Sequence, residues 1–162
     1  MTDKIKLLIV DDEVKFLDAI ARRLEMRDFE VTKACNGHDA LDAARYLKFD
    51  LVLLDLKMPG MNGQQVLEVL KQDHRFLEVI ILTGHGSMDS AVQCTKLGAF
   101  GYLPKPYEID DLIEILKEAY EHRLHNKFEN DQVRLDGLMK AAVGESPLAI
   151  LRRMRELDDE EK

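Results

Sequence analysis

The stretch Lys6-Leu7-Leu8-Ile9-Val10-Asp11-Asp12 joins a short apolar run to a pair of acidic residues. A second run, Leu51-Val52-Leu53-Leu54, is followed by Asp55, and a third run ends in Tyr102-Leu103 just before Lys105-Pro106. Short, β-rich runs bounded by chain-breaking residues are typical of buried parallel strands. Residues that follow such strands meet at the crevice where open α/β sheets bind ligands. The sequence therefore predicts that three carboxylates and one ammonium come together, as a site for a hard divalent cation and a phosphoryl group.

Strand and helix patterns alternate along residues 4 to 120, which predicts right-handed crossovers and a parallel sheet covered on both faces. The predicted strands are 5–10, 30–34, 50–54, 79–82 and 100–103, and the predicted helices are 13–26, 37–47, 64–71, 87–98 and one beginning near 108. The pattern indicates an α/β fold, a flavodoxin-like doubly wound sheet with five parallel strands in the order 2-1-3-4-5. In that order the ligand crevice lies between strands 1 and 3, which carry Asp11-Asp12 and Asp55.

Several residues are predicted to define the helices. Asn36, Ser87 and Ser146 are suitable N-caps. Apolar stripes at helical spacing include Val14 on the first helix and Leu47 on the second, so both are expected to be buried.

Composition limits the classes of protein to which the chain can belong. Apolar residues make up 46% of 162 residues, enough for a sizeable core, and the net charge of −8 argues against a general affinity for nucleic acid. Cys35 and Cys94 have no metal-ligand spacing and are expected to be reduced thiols. No signal peptide is recognisable, and no apolar run approaches the ~20 residues that span a bilayer. We expect a soluble, cytoplasmic protein with no membrane insertion and no direct contact with nucleic acid.

The character of the sequence changes beyond residue 120, so we predict one domain over 1–120 and a helical C-terminal extension over 121–162. Residues 121–143 are polar and favour helix, with sparse apolar positions. Gly144 and Pro147 interrupt the pattern, and a last helix is predicted from Pro147 to about Leu157. Leu124 and Phe128 either stand alone as exposed apolar residues or pair with a second copy of the chain, and we favour a homodimer through these helices.

Each charged or polar residue of the predicted site has an ordinary alternative when it is taken alone. Asp11-Asp12 could cap a helix, Lys105 could be a solvated surface lysine, and Thr83 could simply end its strand. Their joint placement, each at the carboxyl end of a different predicted strand, favours a functional site.

These residues and their neighbours resemble the receiver domain of a two-component response regulator, over about the first 120 residues. The resemblance rests on Asp11-Asp12, on Asp55-Leu56-Lys57-Met58-Pro59-Gly60-Met61-Asn62-Gly63, on Leu82-Thr83-Gly84-His85-Gly86-Ser87, on Leu97-Gly98-Ala99-Phe100-Gly101-Tyr102-Leu103 and on Lys105-Pro106.

The resemblance implies a role for each acidic residue. Asp55 would be the phosphoacceptor, attacking a phosphohistidine on a sensor histidine kinase or a histidine phosphotransfer protein. Asp12 and Asp55 would bind Mg²⁺ directly together with the backbone carbonyl of Lys57, and Asp11 would help through water. The chain would then be a phosphoacceptor signalling domain rather than an enzyme, although it would assist its own phosphorylation and dephosphorylation.

The resemblance also implies the parts of a switch. Thr83 would hydrogen-bond the phosphoryl group and Lys105 would pair with it. Tyr102 would turn inward when Thr83 moves, and the altered surface would be formed by the fourth helix, the fifth strand and the fifth helix. Pro106 would follow a cis peptide bond.

Two other functions remain as alternatives from the sequence. One is a phosphatase of similar topology with an aspartate nucleophile after its first strand, and the other is a DNA-binding regulator. The stretch Val143-Gly144-Glu145-Ser146-Pro147 looks like the junction before the ATPase domain of NtrC-type activators, but no phosphate-binding Gly-rich loop follows it in this sequence. The chain is therefore expected to be either a natural single receiver or a fragment.

Overall fold

The computed structural model describes residues 3–84, 88–141, 144 and 146–160, and the chain forms two compact units, Met1–Arg123 and Leu124–Lys162. The predicted cap at Ser87 lies outside the described residues. So do His85 and Gly86 of the third motif, and Val143 and Glu145 of the tail motif.

Five parallel strands form one sheet in the order β2-β1-β3-β4-β5, which confirms the predicted flavodoxin-like fold. The strands are β1 (Ile5–Val10), β2 (Phe29–Ala34), β3 (Leu51–Leu54), β4 (Glu78–Thr83) and β5 (Gly101–Pro104). The helices are α1 (Val14–Glu25), α2 (Gly37–Tyr46), α3 (Gly63–Asp73), α4 (Met88–Lys96), α5 (Ile109–Ala141) and α6 (Pro147–Glu160).

Two hydrophobic clusters cover the two faces of the sheet, one with residues of α2, α3 and α4 and the other with residues of α1 and α5. Successive residues of β1 enter opposite clusters: Leu8 and Val10 face the first, and Leu7 and Ile9 face the second. Because both faces are covered, β3 is apolar at every position, and β1 and β4 contain continuous apolar runs over residues 7–10 and 79–82, as is typical of parallel sheets. The residues that follow these strands are therefore attached to the most deeply buried part of the fold.

Side-chain caps begin two of the helices as predicted. The Asn36 side chain accepts a hydrogen bond of 2.8 Å from the backbone N–H of Asp39, and Ser146 Oγ accepts one of 3.3 Å from the N–H of Ala149. Each cap satisfies a backbone donor that has no partner within its helix.

Two predicted apolar positions prove to be exposed. Val14 is 56% exposed, because the face that packs on the sheet begins one turn later, at Leu17. Leu47 is 52% exposed, because α2 ends at Tyr46 and the backbone of Leu47 is already extended, with φ −119° and ψ 149°. The apolar pattern in the sequence therefore extends beyond the buried face, by one turn at the start of α1 and by one residue at the end of α2.

The unit Leu124–Lys162 contains the second part of α5 and all of α6. Within it, the Arg134 guanidinium lies 3.6 Å from a carboxylate oxygen of Asp158. Large apolar side chains of this unit are exposed, among them Leu124, Phe128, Val133, Met139, Leu148 and Leu151.

Among the described residues, no helix combines the length and the apolar character needed to span a membrane.

Candidate functional site

The carboxyl ends of neighbouring strands bring the predicted site residues to one edge of the sheet. The Asp11 N–H donates to the Ala34 carbonyl at 3.1 Å, and the Asp55 N–H donates to the Val10 carbonyl at 3.0 Å. These bonds extend the ladders by one residue, so both aspartates keep the backbone positions that the parallel register dictates.

The same register places Thr83 and Lys105 on the other side of Asp55. Thr83 is the last residue of β4 and is fully buried, and its carbonyl accepts a hydrogen bond of 3.0 Å from the Lys105 N–H. The Lys105-Pro106 peptide bond is cis, as the resemblance implied.

Asp11, Asp12 and Asp55 form an acidic cluster at this edge. One carboxylate oxygen from each residue lies within 4.8 Å of the others, and Asp11 and Asp55 are buried whereas Asp12 is exposed. Oxygen ligands at this spacing suit a hard divalent cation, and three carboxylates repel one another unless a cation or a proton intervenes. The donor set therefore fits Mg²⁺.

The Asp55 carboxylate has a buried oxygen that makes no hydrogen bond within the described residues. This oxygen is Oδ1, and the residue as a whole is 6% exposed. Burial raises the pKa of Asp55, and the charge of Asp11 raises it further. Hydrogen bonds from Thr83 and from the Lys57 backbone, and the charge of Lys105, act in the opposite direction. A buried carboxylate oxygen without a donor is where a cation or a covalently attached group would be accommodated.

Lys105 is directed into the acidic cluster and is not a solvated surface lysine. Its Nζ donates to Asp11 Oδ2 at 2.9 Å, and its side chain is only 21% exposed. The ammonium also lies 3.8 Å from the centroid of the Phe16 ring.

Asp11 has both of the roles that the sequence left open. Its Oδ2 accepts from Lys105, while its Oδ1 accepts a hydrogen bond of 2.9 Å from the N–H of Glu13, the residue at the start of α1. Glu13 itself makes no side-chain cap. The acidic pair thus supports the helix start and also contributes to the site.

The loop after Asp55 depends on a glycine at its end. A side chain at Gly63 would collide with the backbone of Asp55 and Leu56, and the Gly63 N–H donates to the Leu56 carbonyl at 2.9 Å. This close approach folds the loop 55–63 back on itself and begins α3 beside the acidic cluster. The carbonyl of Lys57 lies in this loop.

Tyr102 packs against the cluster on the α2, α3 and α4 face. Its hydroxyl oxygen is buried and has no hydrogen-bond partner among the described residues, and burial raises the pKa of this hydroxyl.

Phe16 and Tyr107 were missed by sequence reasoning. Phe16 is half-buried on α1, and its ring meets that of Tyr107 edge to face, with centroids 6.4 Å apart and an interplanar angle of 89°. In the sequence an aromatic residue within an amphipathic helix has the same pattern as a core residue, so no signal distinguishes the two roles.

Comparison with protein families finds a match to the response regulator receiver domain over residues 7–117. The chain is 35% identical over 139 residues to the DNA-binding transcriptional regulator NtrC of Escherichia coli K12, which covers 86% of this chain and 29% of that protein. It is 38% identical over 119 residues to the transcriptional regulatory protein ZraR of Salmonella typhimurium, which covers 74% of this chain and 27% of that protein. The chain thus spans less than a third of these relatives.

Solved structures give the same result. The receiver domain protein (CheY-like) from Methanospirillum hungatei JF-1 superposes with a TM-score of 0.74 at 31% identity, covering 76% of this chain and 98% of that one. NtrX from Brucella abortus superposes with a TM-score of 0.76 at 28% identity, covering 86% of this chain and 33% of that one. Sequence, strand order and fold therefore agree that this chain belongs to the response regulator receiver domain family of two-component signalling systems.

Proposed function

We propose that this receiver accepts a phosphoryl group on Asp55 from a sensor histidine kinase or a histidine phosphotransfer protein in the cytoplasm, and that phosphorylation switches a protein-interaction surface. The observation that carries the proposal is the buried Oδ1 of Asp55 within the acidic cluster, which has no hydrogen-bond partner in the described part of the chain. Family membership supports a signalling role and argues against the phosphatase alternative.

The chemistry follows from the groups beside Asp55. A carboxylate oxygen of Asp55 forms a bond to phosphorus while the bond from phosphorus to the histidine nitrogen breaks, and the electron pair remains on the imidazole. The product is an acyl phosphate. Lys105, held beside Asp11, supplies a positive charge for the phosphoryl oxygens, and the Thr83 hydroxyl supplies a hydrogen bond.

Asp11, Asp12, Asp55 and the backbone carbonyl of Lys57 would hold Mg²⁺. The oxygen-only donor set and the mutual repulsion of the three carboxylates support this assignment. Bound Mg²⁺ would neutralise negative charge on the transferring phosphoryl group.

Thr83 and Tyr102 are proposed to transmit the change. A phosphoryl group on Asp55 would draw the Thr83 hydroxyl toward it, and Tyr102 would move into the space released. Because β4 pairs with β5 and Ile81 lies beside Tyr102, a change at the end of β4 reaches the surface formed by α4, β5 and α5. This is a population shift biased by one charged group.

The phosphoacceptor is tested by labelling with acetyl phosphate in Mg²⁺. Wild-type protein should gain one phosphoryl group by intact mass, and Asp55→Asn should gain none because the nucleophilic carboxylate is absent. Asp42→Asn, at an exposed carboxylate on α2, is the matched control and should be labelled normally. Equal labelling of Asp55→Asn and wild type would refute the assignment.

A further inference from the structure

Within the described residues, the Lys105 ammonium contacts two groups: the Asp11 carboxylate, in the segment that joins β1 to α1, and the Phe16 ring on α1. One is Asp11 Oδ2 at 2.9 Å, and the other is the ring of Phe16, whose centroid lies 3.8 Å away. A cation within about 6 Å of an aromatic centroid is attracted by the negative face of the ring. At 3.8 Å, with a lysine side chain only 21% exposed, this contact belongs to the partly desolvated and stronger kind.

The Phe16 ring is itself held in place. Tyr107, which follows the Lys105-Pro106 step, meets it edge to face at 6.4 Å. Burial raises the pKa of Tyr107 to about 12, so its phenol stays neutral at physiological pH and brings no charge to compete for the ammonium. The aromatic pair thus joins α1 to the loop that carries Lys105.

The two partners of Lys105 respond differently to events in the site. Asp11 attracts the ammonium by its negative charge. A divalent cation bound in the acidic cluster would offset part of that charge and so weaken the attraction between Asp11 and the ammonium. The attraction of the Phe16 ring does not depend on the charge of Asp11. A lysine side chain has four flexible carbons, so without a second partner its ammonium can occupy many rotamers that point to water.

We propose that Phe16 is a positioning residue for phosphoryl transfer: its ring keeps the Lys105 ammonium directed at the Asp55 site when Asp11 is engaged by a cation. The role deepens the proposed function and depends on it. Phe16 also packs against the α1 and α5 side of the core, so the test must separate this structural contact from the contact with the ammonium.

The ammonium contact is measured first, without phosphorylation, by a double-mutant cycle on the unfolding of the full chain. Phe16→Leu keeps an apolar side chain of suitable size but removes the ring, and Lys105→Ala removes the ammonium. We expect the two changes to be coupled by about fivefold in the folding equilibrium constant, as a partly desolvated cation–π contact predicts. Independent, additive effects of the two changes would overturn the proposal.

The positioning role is measured by the rate of labelling with acetyl phosphate at saturating Mg²⁺. Phe16→Leu should be labelled about fivefold more slowly than wild type, and Phe16→Tyr, which restores an aromatic ring, should be close to wild type. Circular dichroism of each variant controls for the fold. Equal rates for the Leu variant and wild type would refute the positioning role while leaving Asp55 as phosphoacceptor. If wild-type protein is not labelled at all, the proposed function fails, whereas the unfolding cycle still reports whether the contact exists.

Discussion

At the scale of single residues, Asp55 combines a functional position with an unfavourable environment. Its pKa is raised by burial and by the neighbouring charge of Asp11, so the folded protein favours the protonated carboxyl. A raised pKa means that the contribution of this group to stability is fully present below its unfolded pKa of about 4 and is lost as the pH rises through its folded pKa. Without a cation, the Asp55 carboxyl therefore contributes less to stability at neutral pH than at low pH.

Asp55→Asn should consequently raise the melting temperature at pH 7 in chelator by a few degrees, because the neutral amide removes the cost of a buried charge. The gain should shrink as the pH is lowered, because the raised pKa favours protonation of the wild-type carboxyl in the folded protein. It should also shrink in Mg²⁺, because a cation that binds the native state stabilises wild type selectively. Circular dichroism measured during heating gives the melting temperature of each variant under each condition. A lower melting temperature for the variant at pH 7 in chelator would contradict the assigned cause.

Asp12 and Asp11 should differ in their effect on the cation. Asp12 is exposed and its carboxylate has no hydrogen bond among the described residues, whereas Asp11 is engaged by Lys105 and by the Glu13 N–H. We expect Asp12→Ala to weaken Mg²⁺ binding at least tenfold, and Asp11→Ala to weaken it less. Isothermal titration of each variant measures the affinities. The reverse order would mean that Asp11 is the direct ligand.

Some residues of the site could be predicted from the sequence, and others could not. Asp11, Asp55 and Lys105 could be predicted because each directly follows a short apolar strand, and parallel strands fix where the next residue lies. Phe16 could not, because its contact with Lys105 depends on how α1 packs against the loop after β5. Gly63 was recognisable as a loop residue, but its close approach to the Asp55 backbone, which leaves no room for a side chain, depends on the path of the loop.

At the scale of secondary structure elements, β4 and β5 connect the acidic cluster to the surface of α4 and α5. Thr83 ends β4 beside Asp55, and Tyr102 lies on β5 with a buried hydroxyl that has no partner among the described residues. If the end of β4 moves, the Tyr102 side chain can move with it. Its hydroxyl would then be stabilised by forming a hydrogen bond that it lacks in this structure. Strand order could be predicted, since alternating strands and helices allow few topologies. The extent of the buried face on a helix could not be predicted as well, because Val14 and Leu47 continue the apolar pattern in the sequence but are exposed in the fold.

Thr83→Ala should separate labelling from switching. The variant retains Asp55 and the acidic cluster, so it should still accept a phosphoryl group, although more slowly. Phosphorylation of wild type should change the amide chemical shifts in α4, β5 and the first turns of α5. In phosphorylated Thr83→Ala, these changes should be smaller than about half of the wild-type changes. Thr95→Ala is the control, since Thr95 is exposed on α4 and its hydroxyl bonds to the Ala91 carbonyl. Full shift changes in labelled Thr83→Ala would remove Thr83 from the mechanism.

At the scale of the whole molecule, α5 has residues in both units: the unit Met1–Arg123, called the receiver unit below, and the unit Leu124–Lys162. The last residue of the receiver unit, Arg123, is hydrogen-bonded to the rest of that unit: its Nε donates to Asp50 Oδ1 at 3.2 Å. The other carboxylate oxygen of Asp50 accepts a hydrogen bond of 2.9 Å from the Lys6 N–H. Beyond this point large apolar residues are exposed, including Phe128 at 62% and Val133 at 72%. The sequence indicated a change of character near residue 120, but the Arg123–Asp50 contact had no local signal because the two residues are far apart in the chain.

These exposed residues lead to the last prediction, which concerns self-association. We propose that the helices of the unit Leu124–Lys162 pair with those of a second copy, because exposed apolar positions on a long helix are stabilised by burial against another helix. The full chain should sediment as a dimer at tens of micromolar, and a truncation after Arg123, which keeps the contact with Asp50, should sediment as a monomer. Phe128→Glu in the full chain should weaken the dimer at least tenfold, whereas Met26→Glu, at an exposed apolar residue of the receiver unit, should leave it unchanged. Monomers throughout, with Asp55 phosphorylated or not, would show that these apolar residues serve another partner or none. A dimer that survives truncation would place the interface on the receiver unit instead.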